Sequence, residues 1–424
     1  MKEEQNSVNK LTDHLFRHES GKLTALLVKV FGTHNLQMVE DVVQETFVSA
    51  LQAWRIKGVP DKPAAWLFRS AKNKAIDKIR KNRHSSPADF NDPEHARLFQ
   101  SEYTLATVMN ALWTEESLQD ELLKMMYACC HDELVDENRV TLILKTLCGF
   151  STAEIARAFF TSEDTISKRL YRTKEFFREK KIKPAIPPKN LLKERTDAVL
   201  KSIYLIFNEG YNATSGDQVI RKDLLDQAMY LTGLLCNNEH TKSPEVHAAM
   251  ALMYFHAARI DSRTSMEGEI ILLEQQDRKK WDTRLIAMGN EYMNRSAIGN
   301  SISAYHLEAA IAYEHCITSS FEKTNWAQIL AYYDLLVKIH STPITAFNRL
   351  TVFYKLMGVE ETIYELGRSP FLPDWERYYL YHSLLGELFS KTDKYRAKES
   401  FEKAISLTKS EFEQRLLRHK IRQI

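Results

Sequence analysis

Along most of this chain, apolar residues recur at steps of three and four positions, the spacing of one face of an α-helix. Only 13 glycines and 11 prolines interrupt the pattern in 424 residues. Because these two residues are the strongest breakers of helices, their scarcity favours long helical segments. The pattern therefore predicts an all-α protein, and the length predicts two to four domains.

One amphipathic helix is predicted from Val39 to Trp54. Its apolar positions form a continuous stripe that we expect to face a core: Val39, Val42, Val43, Thr46, Phe47, Ala50, Leu51 and Trp54. A different face carries Asp41, Gln44, Glu45 and Gln52. These acidic and amide side chains could meet a basic helical surface on a partner, although a solvated face is the more common explanation of such charges.

The next predicted helix has two contrasting faces. The apolar face comprises Ala64, Leu67, Phe68, Ala71, Ala75 and Ile79, and the opposite face comprises Trp66, Arg69, Asn73, Asp77, Arg80 and Lys81. Cations neutralise phosphates, asparagine pairs with a base edge, and an aromatic ring stacks on an unpaired base for about 1–3 kcal/mol. This face suits partly melted DNA, and the alternative is that Trp66 lies in the core while the cations are solvated.

A helix-turn-helix pattern follows in residues 151–177. Ser151 and Glu154 form a capping-box pattern, which predicts a helix from about Thr152 to Phe160. A short turn and a predicted N-cap at Ser162 precede a second helix, whose apolar positions are Ile166, Leu170, Thr173 and Phe177. In this motif the start of the second helix enters the major groove of DNA. The candidate base readers are Thr165, Ser167, Lys168 and Arg169, and the candidate phosphate contacts are Arg172, Lys174 and Arg178.

Breaks in the pattern predict four segments. We expect a first domain over 1–84, a linker over 85–114, a second domain over 115–183 and a helical extension over 184–424. The prolines from Pro184 to Pro188 mark the last boundary. Near the end of the chain, small and large residues approach the spacing of a tetratricopeptide repeat, namely Gly386, Phe389, Ala397, Phe401 and Ala404.

Composition and charge narrow the function classes. The net charge is only +2, but basic residues concentrate at Lys72–Arg83 and Lys168–Lys183, as expected of local contacts with nucleic acid. Five cysteines, the polar start of the chain and the lack of a long apolar run predict a cytoplasmic protein. Cys129-Cys130-His131 lacks a second pair of ligands at zinc-finger spacing, so we expect a core position there and no metal. No motif indicates a cofactor or catalytic machinery.

Three stretches resemble the sigma-70 family of bacterial transcription initiation factors: VEDVVQETFVSALQAW, PAAWLFRSAKNKAIDKIRKNR and STAEIARAFFTSEDTISKRLYRTKEFFREKK. The resemblance implies that the partners are core RNA polymerase and promoter DNA, with no membrane. It places polymerase contacts at Asp41, Gln44, Glu45 and Phe47. It places recognition of the opened minus-ten element at Trp66, Arg69, Asn73, Lys74, Asp77 and Arg80. Minus-thirty-five recognition is placed at Thr165, Ser167, Lys168, Arg169, Arg172 and Lys174.

The resemblance also implies roles for the loops next to these helices. The loop over residues 57–62 would help to hold a base extruded from the stack. The linker would thread near the active-site and RNA-exit channels of polymerase.

The C-terminal half resembles a subgroup of extracytoplasmic-function (ECF) sigma factors that carry a tetratricopeptide-like extension. The stretches that carry this resemblance include FNEGYNATSGD and NWAQILAYYDLLVKIHSTPITAFNRL. It implies regulation in cis, with a regulatory protein or a ligand as a possible partner of the extension. KLMGVEETI departs from the glycine-rich turn of the relatives.

Two other classes of function stay open at this point. One is a helix-turn-helix regulator on a helical-repeat scaffold that does not join polymerase. The other is an enzyme in the C-terminal half, where the polar side chains Glu267, Glu269, Asp277 and Arg278 could line a pocket. Ion pairs between stacked helices explain these side chains at least as well.

Overall fold

The computed structural model of the chain describes residues 2–85, 114–159, 161–212, 220–265, 269–408 and 410–424. Within these ranges it contains 19 α-helices and no β-sheet, which confirms the predicted all-α class. The chain divides into two compact units, Met1–Leu205 and Ile206–Ile424, which are described separately. Almost all of the predicted linker lies outside the described residues.

Eight helices begin in the first unit. They are α1 (Lys2–Phe31), α2 (Leu36–Lys57), α3 (Pro63–Ser85), α4 (Glu115–Cys129), α5 (Asp136–Thr146), α6 (Thr152–Ala158), α7 (Glu163–Lys180) and α8 (Lys189–Tyr211). The predicted stripe on α2 is confirmed as core, since seven of its eight positions are buried and Leu51 is partly buried. The apolar face of α3 is likewise confirmed at Leu67, Phe68, Ala71 and Ala75.

Helix α1 packs against the turn after α5 with almost no space between the backbones. A Cβ atom on Gly21 would lie 2.1 Å from the carbonyl oxygen of Leu147, so only glycine fits there. Gly149 lies on the other side of this contact, with φ 65°, and a Cβ atom on it would lie 2.6 Å from the Ser20 hydroxyl. The two segments that the sequence predicted as separate domains therefore pack into one unit.

The start of α8 also packs on the first unit. Thr196 is hydrogen-bonded to the Tyr127 hydroxyl at 2.7 Å, and Arg195 donates to the backbone carbonyl of Tyr127 at 2.9 Å. Ser202 lies 3.6 Å from the Cys130 thiol in the same interface. Residues up to Leu205 therefore complete this core, beyond the predicted boundary at residue 184.

The second unit continues as a series of helices. They are α9 (Lys222–Asn237), α10 (Pro244–Ala257), α11 (Thr283–Ser296), α12 (Ala304–Cys316), α13 (Trp326–Ile339), α14 (Pro343–Met357), α15 (Val359–Arg368), α16 (Leu372–Trp375), α17 (Tyr379–Phe389), α18 (Lys394–Leu407) and α19 (Glu411–Gln423). Single-turn 3-10 helices at Ile260–Ser262, Leu273–Gln275 and Arg278–Lys280 connect α10 to α11. In the departing KLMGVEETI stretch, Gly358 ends α14 with φ 87°.

Two helix pairs in this unit pack a glycine against an aromatic ring. Gly386 of α17 faces Phe401 of α18, where a Cβ atom would come within 2.6 Å of the ring. Gly289 of α11 faces Phe255 of α10 at 2.4 Å by the same measure. The small and large residues predicted near the end of the chain thus form a tight helical hairpin, in which Ala397, Phe401 and Ala404 are buried.

Candidate nucleic-acid and partner interfaces

The polar strip predicted on α2 is solvent-accessible. This acidic strip comprises Asp41, Gln44, Glu45 and Gln52, of which Asp41 is partly buried and the others are exposed. Gln37 donates to the Asp41 carboxylate at 3.1 Å, and Lys78 of α3 lies 3.1 Å from the Glu45 carboxylate. The strip therefore presents oxygen acceptors whose charge is only partly neutralised within the chain.

Phe47 requires a correction. The resemblance implies a polymerase contact for Phe47, but its side chain is 4% exposed and packs edge-on against Phe16, with ring centroids 4.8 Å apart. A ring buried in this way cannot touch a partner unless the core opens. Phe47 therefore supports α2 from the core and is not part of the acidic strip.

Helix α3 presents the predicted polar face to solvent. Arg69, Asn73, Asp77 and Arg80 are exposed, and Lys74 is partly buried. Arg80 pairs with Asp77 at 3.3 Å, which is an ordinary surface ion pair within one helix. This α3 polar face offers amide and guanidinium donors together with one carboxylate.

Trp66 combines the two alternatives that the sequence left open, a core position and an exposed ring that can stack on a base. Its ring packs edge-on against the buried Trp54 with centroids 5.6 Å apart, yet its side chain is only partly buried. The preceding loop is mostly exposed, and Gly58 adopts φ 77° there. One edge of the Trp66 ring is thus anchored to the core while part of it reaches solvent beside the α3 polar face.

The predicted helix pair at residues 152–177 is present as α6 and α7. The Ser151–Glu154 capping box is confirmed by reciprocal hydrogen bonds of 3.2 and 2.8 Å. Burial raises the pKa of Glu154, but hydrogen bonds from Ser151 and the charge of Arg17 outweigh it and lower the pKa overall. Ser162 caps α7 by accepting from the Thr165 amide at 3.1 Å.

The exposed side of α7 includes one residue that the sequence analysis missed. Ser167, Lys168 and Arg172 are exposed as predicted, whereas Thr165 and Arg169 are partly buried. Tyr171 lies on the same side with 66% of its side chain exposed. Tyr171 shares a helix face with Ser167 and Lys168, and this helical spacing could have identified it. We call Ser167, Lys168, Tyr171 and Arg172 the α7 face.

Lys174 is also corrected by the structure. The helix-turn-helix pattern predicts a contact of Lys174 with DNA phosphate, but its ammonium group lies 2.6 Å from the Glu40 carboxylate and 2.8 Å from the Gln37 amide oxygen. The side chains of Lys174 and Glu40 are 17% and 9% exposed. In this conformation Lys174 joins α7 to α2, next to the acidic strip.

Further contacts join the first helices of the unit to the α6–α7 pair. Arg17 of α1 forms an ion pair with Glu154 of α6, and its guanidinium lies 4.0 Å from the centre of the Phe150 ring. The Thr33 hydroxyl donates to the backbone carbonyl of Ile182, beyond the end of α7. Helices α1 and α2 therefore hold both helices of the α6–α7 pair.

Cys129 and Cys130 lie in the core, as predicted. Both thiols are buried, and burial raises the pKa of Cys130 to about 11. Among the residues that the structure describes, no group of three or more His, Cys, Asp and Glu side chains is placed to hold a metal ion. In the same residues, no helix is both long enough and apolar enough to cross a membrane.

Comparisons with known proteins cover both units. Residues 15–85 match the family Sigma-70 region 2, and residues 195–297 match a family of unknown function (DUF6596). The uncharacterized protein R00370 of Rhizobium meliloti is 30% identical over 88% of this chain and 86% of its own length. No solved structure matches.

Two named relatives each match about a third of this chain. The ECF RNA polymerase sigma-E factor of Salmonella typhimurium is 28% identical over 35% of this chain and 75% of its own length. The ECF RNA polymerase sigma factor SigL of Mycobacterium tuberculosis is 29% identical over 33% of this chain and 72% of its own length.

Proposed function

Since residues 15–85 match Sigma-70 region 2, we propose that this chain is a sigma-70 family member of the ECF type that directs promoter-specific initiation by core RNA polymerase. The match to region 2 over residues 15–85 carries the proposal, because α2 and α3 expose polar faces within it. Polymerase would supply the chemistry, and this chain would supply binding and recognition.

The acidic strip on α2 is the proposed polymerase contact. Gln44 and Glu45 are exposed, and the helix beneath them is rigidly seated through its buried stripe. Carboxylates on a fixed helix are suited to a basic helical surface, where complementary charge sets orientation and speeds association. Reversing the charge of Asp41 and Glu45 should therefore impair binding more than folding.

The α3 polar face is the proposed contact with the opened strand of the minus-ten element. Asn73 can pair with a base edge, Arg69 and Arg80 can reach phosphates, and the exposed part of Trp66 can stack on a base. Contacts to unpaired bases favour the melted form of DNA over the duplex, so this face would stabilise strand separation.

Helix α7 is the proposed reader of the minus-thirty-five duplex. Its capped start and its α7 face match the part of a helix-turn-helix that enters the major groove. Because Lys174 is bound to Glu40 beside the acidic strip, we propose that polymerase docking loosens this contact and frees α7 to reach DNA. The helical extension, proposed to be tetratricopeptide-like, would regulate these steps in cis through a protein or a ligand.

The decisive experiment is transcription in vitro with core polymerase on a library of genomic fragments. Full-length chain should select start sites, and it should co-purify with core polymerase in stoichiometric amount. The double variant Asp41→Lys, Glu45→Lys should lose both activities while keeping its helical circular dichroism. If the folded wild-type chain bound duplex DNA but neither joined polymerase nor selected start sites, the chain would be an ordinary DNA-binding regulator.

A test of regulation by the extension needs a truncated form in which the first unit stays intact. Truncation after Tyr211, at the end of α8, keeps the contacts of Arg195, Thr196 and Ser202 with the first unit. Comparing start-site selection by this form and the full chain tests whether the extension controls activity. Equal transcription and equal polymerase affinity would refute regulation in cis.

A further inference from the structure

Two guanidinium groups in the second unit flank one buried tryptophan. The Trp281 side chain is 4% exposed. The Cζ atom of Arg259 lies 5.1 Å from the centre of its ring and that of Arg278 lies 4.5 Å away. We call Arg259, Arg278, Trp281 and His315 the arginine–tryptophan cluster. Like charges are brought together here in a water-poor environment, which needs a compensating group.

The backbone holds one side of this cluster. Arg278 opens a 3-10 helix and donates from Nη1 to the backbone carbonyl of His315, in the last turn of α12. The same nitrogen lies 3.5 Å from the carbonyl of Thr318. A cation at a helix C-terminus is favoured by the free carbonyls and by the helix dipole. These contacts fix the guanidinium and leave its other terminal nitrogen, Nη2, without a hydrogen-bond partner in the described chain.

Several more buried donors in this region have no partner among the described residues. Arg259 is 8% exposed, and its Nε forms no hydrogen bond. The same holds for the Trp281 indole nitrogen, the His315 Nδ1 atom and the Thr324 hydroxyl. Buried polar groups are normally satisfied, so the unpaired donors of Arg259, Arg278 and Trp281 around one ring indicate a missing acceptor.

The charge of the cluster points to the same conclusion. In the described chain neither Arg259 nor Arg278 forms an ion pair, and Glu322, which is exposed, is the one carboxylate that acts on Arg278. Burial, and then the charges of Arg259 and Arg278, lower the pKa of His315 to about 3, so this imidazole is neutral near pH 7. The cluster thus carries two positive charges and no buried counter-charge within those residues.

We infer that the arginine–tryptophan cluster is a binding site for a small oxyanion, either a phosphate or a carboxylate group. A guanidinium presents parallel N–H groups that match two oxygens of such an anion, and Arg259 and Arg278 bring two guanidinium groups to one site. The indole N–H of Trp281 adds a neutral donor. Arg278, which is partly exposed, gives the group access from solvent.

The test measures thermal stability of the full-length chain in sodium phosphate, sodium acetate and sodium chloride at matched ionic strength. An anion that binds only the folded state raises Tm in a saturable way. We expect that rise with phosphate, acetate or both, and the arm that responds identifies the group. Because phosphate also stabilises proteins through exclusion from their surface, the comparison is made with Arg259→Met and with Arg377→Met, an exposed arginine elsewhere in the unit.

The saturable rise should vanish in Arg259→Met and persist in Arg377→Met. An equal rise in both variants, or no saturable rise in the wild type, would overturn the inference. Intrinsic fluorescence gives a second readout if Arg259→Met does not fold. The anion should change the emission of the wild type and leave that of Trp281→Phe unchanged, and a change that persists in Trp281→Phe would also overturn it. This site does not depend on the proposed sigma activity, since no polymerase is used.

Discussion

The ammonium group of Lys174 lies 2.6 Å from the carboxylate of Glu40, which joins the proposed DNA-reading helix to the proposed polymerase-binding helix. Both side chains are largely buried, and Lys174 also donates to Gln37. Breaking such a pair leaves a charge without its partner, which usually costs more than the pair itself contributes.

Removing Lys174 should therefore destabilise the folded chain. We expect Lys174→Met to lower the free energy of unfolding by roughly 1–3 kcal/mol, the range for leaving a buried polar group unpaired. Urea unfolding measures the change. Lys168→Met is the matched control on the same helix, because its ion pair with Asp164 is mostly exposed. A double variant with Glu40→Gln should lose less than the sum of the two single changes, and strict additivity would contradict the coupling.

The space available to a new methyl group predicts opposite effects for two glycine substitutions, one at the contact between α1 and the turn after α5 and one on an open helix surface. Gly21→Ala should destabilise the chain by about 1–3 kcal/mol, since its methyl group has no space beside the Leu147 carbonyl. Gly367→Ala lies in helix α15 with nothing within 4 Å of the new atom, so it should stabilise by about 0.5–1 kcal/mol. Chemical unfolding of both variants gives the signs. A stable Gly21→Ala protein would mean that the two backbones are farther apart than described.

The α3 polar face predicts a specific loss in promoter opening. Asn73→Ala should weaken open-complex formation by about 1–3 kcal/mol, the loss expected for one paired contact to a base edge. Permanganate reactivity of unpaired thymines reports the melted fraction. Asn294→Ala, an exposed asparagine on α11, is the matched control and should have no effect. Equal melting by both variants would remove Asn73 from the proposed contact.

The salt dependence of duplex binding should separate the cations of α7. Replacing Arg172 or Lys168 by Gln should reduce the slope of log affinity against log salt by about 0.9 each, if each neutralises one phosphate. Lys174→Gln should leave the slope unchanged, because Lys174 is bound to Glu40 in the wild-type chain and does not neutralise a phosphate. Fluorescence anisotropy over a range of salt concentrations measures the slopes. A reduced slope for Lys174→Gln alone would restore the assignment of Lys174 to phosphate.

Acid should destabilise the second unit through His315. Its pKa is lowered to about 3 in the folded state, whereas an unfolded histidine titrates near 6.5. The unfolded chain therefore binds more protons between these values, and stability that is complete above pH 6.5 falls as the pH drops below it, by at most about 1.4 kcal/mol per pH unit. His315→Gln should reduce this slope between pH 6.5 and 5, and His340→Gln, at an exposed position, should not. Unchanged slopes would contradict the burial of His315.

Local features of the chain were predictable because they depend on neighbours in the sequence. The stripe on α2 follows from helical spacing, and the Ser151–Glu154 capping box follows from a four-residue motif. The contact of Lys174 with Glu40 was not predictable, since the two residues are 134 positions apart and either looks like a surface charge in isolation. The arginine–tryptophan cluster joins residues of several loops and helix ends, so no periodic pattern marks it.

Phe47 illustrates a different limit. The resemblance implies a role for a stretch of residues, but within that stretch the helix sends side chains to the core at steps of three and four positions and the others to solvent. The periodic stripe on α2 predicts a core position for Phe47, and its burial agrees with the stripe rather than with the role implied by the resemblance. Tyr171 differs, because the candidate contacts on α7 comprise only polar and cationic residues, whereas helical spacing alone places Tyr171 on the same face as Ser167 and Lys168.

The glycine contacts at positions 21 and 149 have a consequence for how the first unit could change conformation. A contact of backbone against backbone contains no flexible side chains that could adapt to small displacements. Its two sides should therefore separate in a two-state manner, between a closed and an open form. Changing such an equilibrium from 1:99 to 99:1 requires about 5.5 kcal/mol of preferential binding to the open form. A partner that binds tightly over a large surface, such as a large enzyme, could supply that preference. A short stretch of duplex DNA alone would leave the closed form predominant.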